Sequence, residues 1–520
     1  MYSRHMDSFA LPEVLTRPLE DIVLAMKAMA ISNVARFPFP TAPDQNQLNA
    51  AVKLLANLGC IDLSDVEEQG GDGSVTRLGQ AVAKLPLGVR YGKMLLIAAQ
   101  AGVLDYAIAM VSLLSENSPF LHGQQDPSAD SKEEDSQSTS DSEDQHDARK
   151  KPEVRKWMHR RGDVLAGMLA VGAYTYAGRG AGGSSEKSAC KKFCSENGLN
   201  FPVMDRIQKM RLHLARLAKI RFCKAEGVAA RTGGIANSMR PPNRLEENLL
   251  CQAICSGLLD NVAMLAPPGS MSGDHPYGFR SAYMSCLTSI KEPLYMDPKS
   301  ALFSRDWRQL PQWVCYDSVI RKSTKDGTPV VMMKNITLID PSWLGTLARG
   351  SYLLRLGDPL SSPLPSYDAN KDVVLCSVLT KFGNRGWEIP PMQVEMYPAL
   401  QKIGKQSTHF LLDDSFRWFA RFLLEGKVLP ELKNLPQFLN DEPSLITRKT
   451  PASKVALLVS TLASAGIDSA GALQKHWAEV DNKFLFSNLK SCIKPENVTA
   501  VKEIWMTTVQ LHVKLWKDSR

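Results

Sequence analysis

Apolar residues in the first ninety positions follow a helical rhythm, then an extended one. Leu19, Ile22, Val23, Met26 and Met29 recur at three- and four-residue steps, which predicts a helix opening at Pro18. Leu48, Val52, Leu55 and Leu58 repeat the pattern, with Gly59 as its stop. Between them, Phe37-Pro38-Phe39-Pro40-Thr41-Ala42-Pro43 is excluded from helix, because its prolines lack donors and force extended geometry. Cys60 to Leu63 and Val75-Thr76 read as short strands around a tip holding Gly70, Gly71 and Gly73, and Leu78 to Leu85 is helical again. Helix, helix, strand, tip, strand is a winged-helix order.

Residues 89–123 are helical and apolar, with Met94, Leu95, Ala98, Leu104, Ile108, Val111 and Leu114 suited to a buried bundle. Helices resume at Val154, beside a basic cluster of Arg155, Lys156, Arg160 and Arg161. The run from Asp205 to Lys224 is the clearest amphipathic segment. Ile207, Met210, Leu214 and Leu217 face one way, and Arg206, Lys209, His213 and Arg216 form a second stripe. That stripe reads equally well as a solvated face or as a rail for phosphates. Residues 227–243 read as loop and Leu245 to Ala266 as helix.

From about residue 283 the texture turns to β. Trp313 to Tyr316, Val330 to Met333 and Ile336 to Ile339 are short apolar runs between turn residues, which suits a small barrel of the OB kind. Residues 351–520 mix proline-rich linkers, a strand at Val373 to Leu379, and helices at Phe416 to Leu424, Val455 to Ala463 and Val501 to Trp516. The partition is therefore a winged helix over 1–88, a helical bundle over 89–282, an OB-fold over 283–350 and an α/β extension over 351–520: a multidomain α+β chain.

Charge changes the picture in one place. Residues 124–152 are acidic and serine-rich, and are expected to be a disordered insertion in the bundle. Within it, residues 126–147 hold nine acids (Asp126, Asp130, Glu133, Glu134, Asp135, Asp141, Glu143, Asp144, Asp147) against one base, Lys132. The formal charge of the chain is +8, so everything outside residues 126–147 carries +16. A body that basic points toward a polyanionic partner. Ser131, Ser138 and Ser140 each precede an acid by three positions, a pattern that suits acid-directed phosphorylation as well as a plain solvated tether. The 10 cysteines are scattered, and no apolar run near the start resembles a signal peptide, so free thiols in a reducing compartment are expected. No run is long enough to span a bilayer, and no membrane partner is expected.

Several chemistries find no residues to carry them. The phosphate-cradling Gly-x-x-x-x-Gly-Lys-Ser/Thr pattern and an Asp-Glu-Ala-His run do not occur in these residues. Gly178-Arg179-Gly180-Ala181-Gly182-Gly183 has dinucleotide-loop spacing but follows a helix rather than a strand, which argues against that use. Cys190/Cys194 and Cys251/Cys255 lack a second ligand pair nearby, so no metal is expected.

Ordered motifs carry a family resemblance. Leu11-Pro12-Glu13-Val14, Arg17 to Leu24 and Met26-Lys27-Ala28 resemble the opening of the winged helix in DEAH/RHA helicases. Thr76-x-Leu78-Gly79-x-x-Val82-Ala83-x-Leu85-Pro86 with Lys93-Met94-Leu95 resembles their junction to the ratchet domain. Cys194-x-x-Asn197-x-Leu199-Asn200 and Arg211 resemble the ratchet domain itself. Pro298-x-Ser300-x-Leu302-Phe303, Trp313-Val314-x-Tyr316, Ser323-Thr324-Lys325 and Met333 to Leu344 resemble the OB-fold. Arg17 to Asp21, Phe37 to Pro43 and Phe419 to Gly426 are similar to the nucleolar branch that acts in small-ribosomal-subunit assembly. Two departures fall on the OB-fold: Asp297 stands where the family has His, and residues 326–331 look inserted.

The resemblance implies an RNA-binding C-terminal half of an ATP-dependent helicase, whose ATP and magnesium act in RecA-like domains expected to be absent from this chain. The chain alone is then expected to lack ATPase activity and to hold no cofactor. Whether it is a fragment of a longer helicase, or a stand-alone module competing with one, stays open at this point. The implied partners are pre-rRNA or snoRNA, pre-ribosomal proteins and a helicase activator, in the nucleus and nucleolus. Arg155, Lys156, Arg206, Lys209, Lys325 and Lys334 are the candidate phosphate contacts, and no catalytic or metal-ligating residue is assigned.

Overall fold

The computed structural model describes residues 12–16, 18–63, 72–121, 157–179, 184–222, 240–267, 281–304, 306–323, 329–396, 414–444 and 453–518. The acidic tract, Arg155, Lys156 and Lys325 lie outside the described residues. The chain divides into two compact units, residues 1–354 with 382–387 and residues 355–381 with 388–520.

The first unit opens with α1 (Leu19–Ala28), which buries Leu19, Val23, Leu24 and Met26. Met29, expected on that face, is 67% exposed because the helix ends at Ala28. Asp44 starts α2 (Gln45–Asn57) by accepting the Asn46 amide, and Gly59 stops it with a φ of +72°, a left-handed conformation that glycine adopts without steric cost. Strands β1 (Ile61–Asp62) and β2 (Ser74–Val75) pair antiparallel. The Thr76 hydroxyl then donates to the Gly59 carbonyl at 2.8 Å and accepts the Gly79 amide at 3.0 Å, which starts α3 (Arg77–Ala83). The base of the wing is tied down by Lys27, whose buried Nζ donates to the carbonyls of Ser32 at 2.6 Å and Gly73 at 2.9 Å. The winged-helix order is therefore present.

Among the described residues six helices follow: α4 (Val89–Gln100), α5 (Leu104–Leu114), α6 (Asp163–Ala177), α7 (Ser184–Glu196), α8 (Phe201–Phe222) and α9 (Arg244–Gly257). Helix α5 buries every position except Asp105, so it is the central rod against which α4, α6 and α8 pack. Helix α9 starts with a reciprocal cap between Asn243 and Glu246. The helix expected to run to Ala266 ends at Gly257, where any Cβ would lie 2.6 Å from the Arg90 carbonyl oxygen. After a 3-10 turn at Leu259–Asn261 the segment continues as β3 (Val262–Leu265), an apolar run that finds strand partners on both sides. The sheet thus begins well before residue 283.

The remaining strands of this sheet are β4 (Tyr283–Ser285), β5 (Leu294–Met296), β6 (Trp313–Cys315), β7 (Ser318–Ser323), β8 (Pro329–Lys334) and β9 (Thr337–Leu338). Their order is β7-β8-β5-β4-β3-β6-β9, antiparallel except between β5 and β8. The end strands do not pair with each other, so the described residues form no closed barrel. Asp340 caps α10 (Pro341–Leu347), with Pro341 in the first turn where its missing N–H costs nothing.

Close contacts from α4 and from the start of α6 weld bundle to sheet. Arg90 of α4 grips Asp260, just ahead of β3, through two bonds of 2.5 and 2.7 Å. Gly162, just ahead of α6, bridges to Thr337 with a φ of +114°; a Cβ there would lie 2.1 Å from the Ile336 oxygen, so only glycine fits.

The second unit combines strands β10 (Leu354–Pro359), β11 (Ser366–Asp368), β12 (Val373–Phe382) and β13 (Trp387–Glu395) with helices α11 (Asp414–Leu424), α12 (Ser453–Ala465), α13 (Ala470–Glu479), α14 (Phe486–Cys492) and α15 (Val498–Asp518). Each helix expected here is present and somewhat longer than its apolar run, since polar terminal residues join the last turns. Trp477 and Trp505 meet edge to face at 5.4 Å in its core. Asp372 ties sheet to helix: its carboxylate accepts the Ala470 and Gly471 amides at 2.6 Å each, at the start of α13, and also the Tyr367 hydroxyl. Among the described residues no single helix is long and apolar enough to cross a membrane.

Candidate nucleic-acid interface

Helix α8 sorts its side chains by face. Val203, Met204, Ile207, Leu214 and Ala218 are buried in the bundle, and Arg206, Lys209, His213 and Arg216 are all exposed. The four lie at three- and four-residue steps, so they form one ridge about 15 Å long at the 1.5 Å rise of an α-helix. Arg206 Nε lies 2.8 Å from Glu116 Oε2, and Lys209 Nζ lies 2.7 Å from Asp205 Oδ2. Both pairs keep an exposed cation, at 47% and 73% for the two side chains. Such pairs are worth only about 0–1 kcal/mol, so a phosphate can take either cation over. Among the described residues, His213 and Arg216 have no ion-pair partner. Lys187, Lys191 and Lys192 on α7 add further exposed cations to the bundle.

Arg211 breaks the amphipathic pattern. It is 1% exposed, and its Nη1 donates to the Thr175 hydroxyl of α6 at 3.0 Å. Burial pushes its guanidinium below the usual arginine range, against the pull of Asp105. Four residues after Ile207 and three before Leu214, it shares their buried face and serves the bundle's interior.

Lys334 sits differently from the ridge. It ends β8 and forms an ion pair with Asp297, whose side chain is 7% exposed against 28% for Lys334. Burial lowers the Lys334 ammonium below the usual lysine range, while Asp163 pulls it back up. A lysine held between two carboxylates and half withdrawn from solvent is a joint of the fold rather than a hand for phosphate. The departure noticed at Asp297 and the candidate at Lys334 are thus one feature. Of the six candidates, then, Arg206 and Lys209 share the ridge, Lys334 stands apart, and Arg155, Lys156 and Lys325 lie outside the described residues.

Lys93, in a motif quoted above, is 4% exposed; burial pushes its ammonium down to about 8, with Cys60, Cys255 and Asp260 pulling the other way. Among the described residues, no group of three or more His, Cys, Asp or Glu side chains could hold a metal ion.

The first unit thus joins a winged-helix order, a helical bundle that carries a basic ridge, and an OB-type sheet. Residues 89–166 match the helicase associated domain (HA2), ratchet-like, and residues 250–351 match the oligonucleotide/oligosaccharide-binding (OB) fold. The chain is similar along nearly its whole length to the C-terminal part of DEAH-box ATP-dependent RNA helicases. It is 26% identical over 519 residues to the probable ATP-dependent RNA helicase kurz of Drosophila melanogaster, covering 97% of this chain and 39% of that protein. It is 27% identical over 520 residues to the probable ATP-dependent RNA helicase DHX37 of Homo sapiens, covering 96% and 40%. The probable ATP-dependent RNA helicase DHR1 of Saccharomyces cerevisiae is 26% identical over 431 residues, covering 76% and 32%. The chain spans about 40% of the length of the first two relatives.

Proposed function

We propose that this chain is the RNA-holding C-terminal region of an ATP-dependent DEAH-box helicase of small-ribosomal-subunit biogenesis, acting in the nucleolus on pre-rRNA or a guide snoRNA. The observation that carries the reading is the exposed ridge of Arg206, Lys209, His213 and Arg216, set in a ratchet-type bundle welded to an OB-type sheet. Cations on a rigid helix hold the phosphates of a single strand without reading its sequence. ATP and magnesium would do their chemistry in RecA-like domains; the residues present here bind and orient the strand. The small-subunit assignment and the nucleolar location rest on the resemblance of Arg17 to Asp21, Phe37 to Pro43 and Phe419 to Gly426. Pre-ribosomal proteins and a helicase activator are the protein partners this reading implies.

Ultraviolet crosslinking of the purified chain to uniform single-stranded RNA, with adducts mapped by mass spectrometry, tests the interface. Adducts on peptides of α7 and α8 are expected. Adducts confined to the second unit, or none at all, would overturn it.

A further inference from the structure

The loop between β5 and β6 is fastened to the fold at both ends. At its start, Asp163 Oδ1 accepts the Ser300 hydroxyl at 2.8 Å and the Ala301 amide at 2.7 Å. At its end, the Tyr283 hydroxyl donates to the Pro311 carbonyl at 2.8 Å, and the Leu265 amide donates to the Gln312 carbonyl at 2.8 Å. Between these anchors Leu302, Phe303 and Leu310 pack on the core of the sheet. Trp307, the largest apolar side chain of the loop, stays 37% exposed.

Local bonds hold the indole in that position. A 3-10 turn runs over Trp307–Gln309, and the Asp306 carboxylate accepts the Arg308 amide at 3.0 Å. The Ser304 hydroxyl accepts the Asp306 amide at 3.1 Å and donates to Gln309 Oε1 at 3.0 Å. Arg308 is exposed, and its guanidinium carbon lies 5.8 Å from the centre of the Trp307 ring. Among the described residues Arg308 has no ion-pair partner.

A single strand of nucleic acid is held by two kinds of group: aromatic rings on which bases stack, and cations that take the phosphates. The α8 ridge supplies cations. Trp307 and Arg308, in the same compact unit, pair an exposed ring with a cation beside it. An anchored loop has little motion left to lose when a base settles on its ring, so this pair is organised before binding.

We propose that Trp307 is a stacking platform for a base of single-stranded RNA, with Arg308 holding the phosphate next to that base. This rests on the reading of the first unit as RNA-binding, and stack and charge have separate signatures.

The test uses the full chain and oligo-uridine. Trp307→Ala should bind at least about fivefold more weakly, with an unchanged slope of log K against log salt, because a stack releases no counterion. Trp307→Phe keeps a ring and should bind within about threefold of the parent. Arg308→Gln should lower the slope by about 0.7. Photocrosslinking of the unaltered chain to thiouridine-substituted oligo-uridine needs no variant, and should place an adduct on Trp307. Equal affinity of Trp307→Ala and the parent, or adducts on α8 without one on Trp307, overturns the proposal and leaves the RNA reading standing. A Trp307→Ala variant whose salt slope falls along with its affinity also overturns it, since the loss is then of a phosphate contact. If the parent binds no RNA, the RNA reading fails and the platform with it.

Discussion

Asp163 and Ile336 pair reciprocally: the Asp163 amide donates to the Ile336 carbonyl at 2.8 Å, and the Ile336 amide donates to Asp163 Oδ2 at 2.8 Å. The other carboxylate oxygen accepts the Ser300 hydroxyl at 2.8 Å and the Ala301 amide at 2.7 Å. One residue at the start of α6 thereby fixes two segments of the OB-type sheet. Burial raises the Asp163 carboxyl above its usual range despite these three donors.

Replacing this carboxylate removes the joint. In Asp163→Asn the side-chain amide must face at least one donor, leaving buried N–H groups unpaired at a cost of about 1–3 kcal/mol each. A loss of about 2–4 kcal/mol is expected for the first unit, read from its urea midpoint. A midpoint unchanged within error would show that the joint carries no load.

Lys334 separates a structural cation from an RNA contact. Lys334→Ala leaves Asp297 buried without its partner, and a loss of about 1–3 kcal/mol is expected, short of the cost of a fully buried pair because Lys334 is partly exposed. The salt slope of RNA binding should stay where it was. A drop of about 0.7 in that slope would mean that Lys334 does hold a phosphate.

Lys93 supplies a pH signature. Its folded pKa, about 8, lies below the usual 10.5, so between these values the unfolded chain binds a proton that the folded chain lacks. Stability therefore rises with pH across that window, and the full penalty of a buried ammonium is present below it. Cys60 acts oppositely from pH 9 upward, because burial holds its thiol up to about 11. The window from pH 8 to 9 isolates the lysine. Lys93→Met should be more stable than the parent by about 3 kcal/mol at pH 7, since each pKa unit is worth about 1.4 kcal/mol, and should lose the rise from pH 8 to 9. A variant no more stable than its parent would place the amine in water.

The second unit has its own clamp. Asp372→Ala strips the first turn of α13 of two bonds and should cost about 1–3 kcal/mol, read by hydrogen exchange at the Ala470 and Gly471 amides. Unchanged protection there would leave the cap to the Ser469 hydroxyl, which accepts the Ala472 amide.

Much of this was legible from spacing. The winged-helix order and the outward ridge of α8 follow from three- and four-residue steps that the structure keeps. Long-range partners were hidden. Periodicity puts Arg211 on the buried face but cannot show that it meets Thr175, or that Asp297, just after β5, closes on Lys334 of β8. Nor does it show that α9 stops at Gly257, where the Arg90 carbonyl 167 residues earlier leaves no room for a Cβ. The strand over Val262–Leu265 was mistaken for helix because a four-residue apolar run fits either period.

The salt dependence of RNA binding by the triple variant Arg206→Gln, Lys209→Gln, Arg216→Gln tests the central claim most directly. Each phosphate released from a single strand lowers the slope of log K against log salt by about 0.7, so the variant should bind with a slope about 2 units shallower and an unchanged melting profile. A slope equal to the parent's, with the fold intact, would contradict the assignment of α8 as the RNA-holding face.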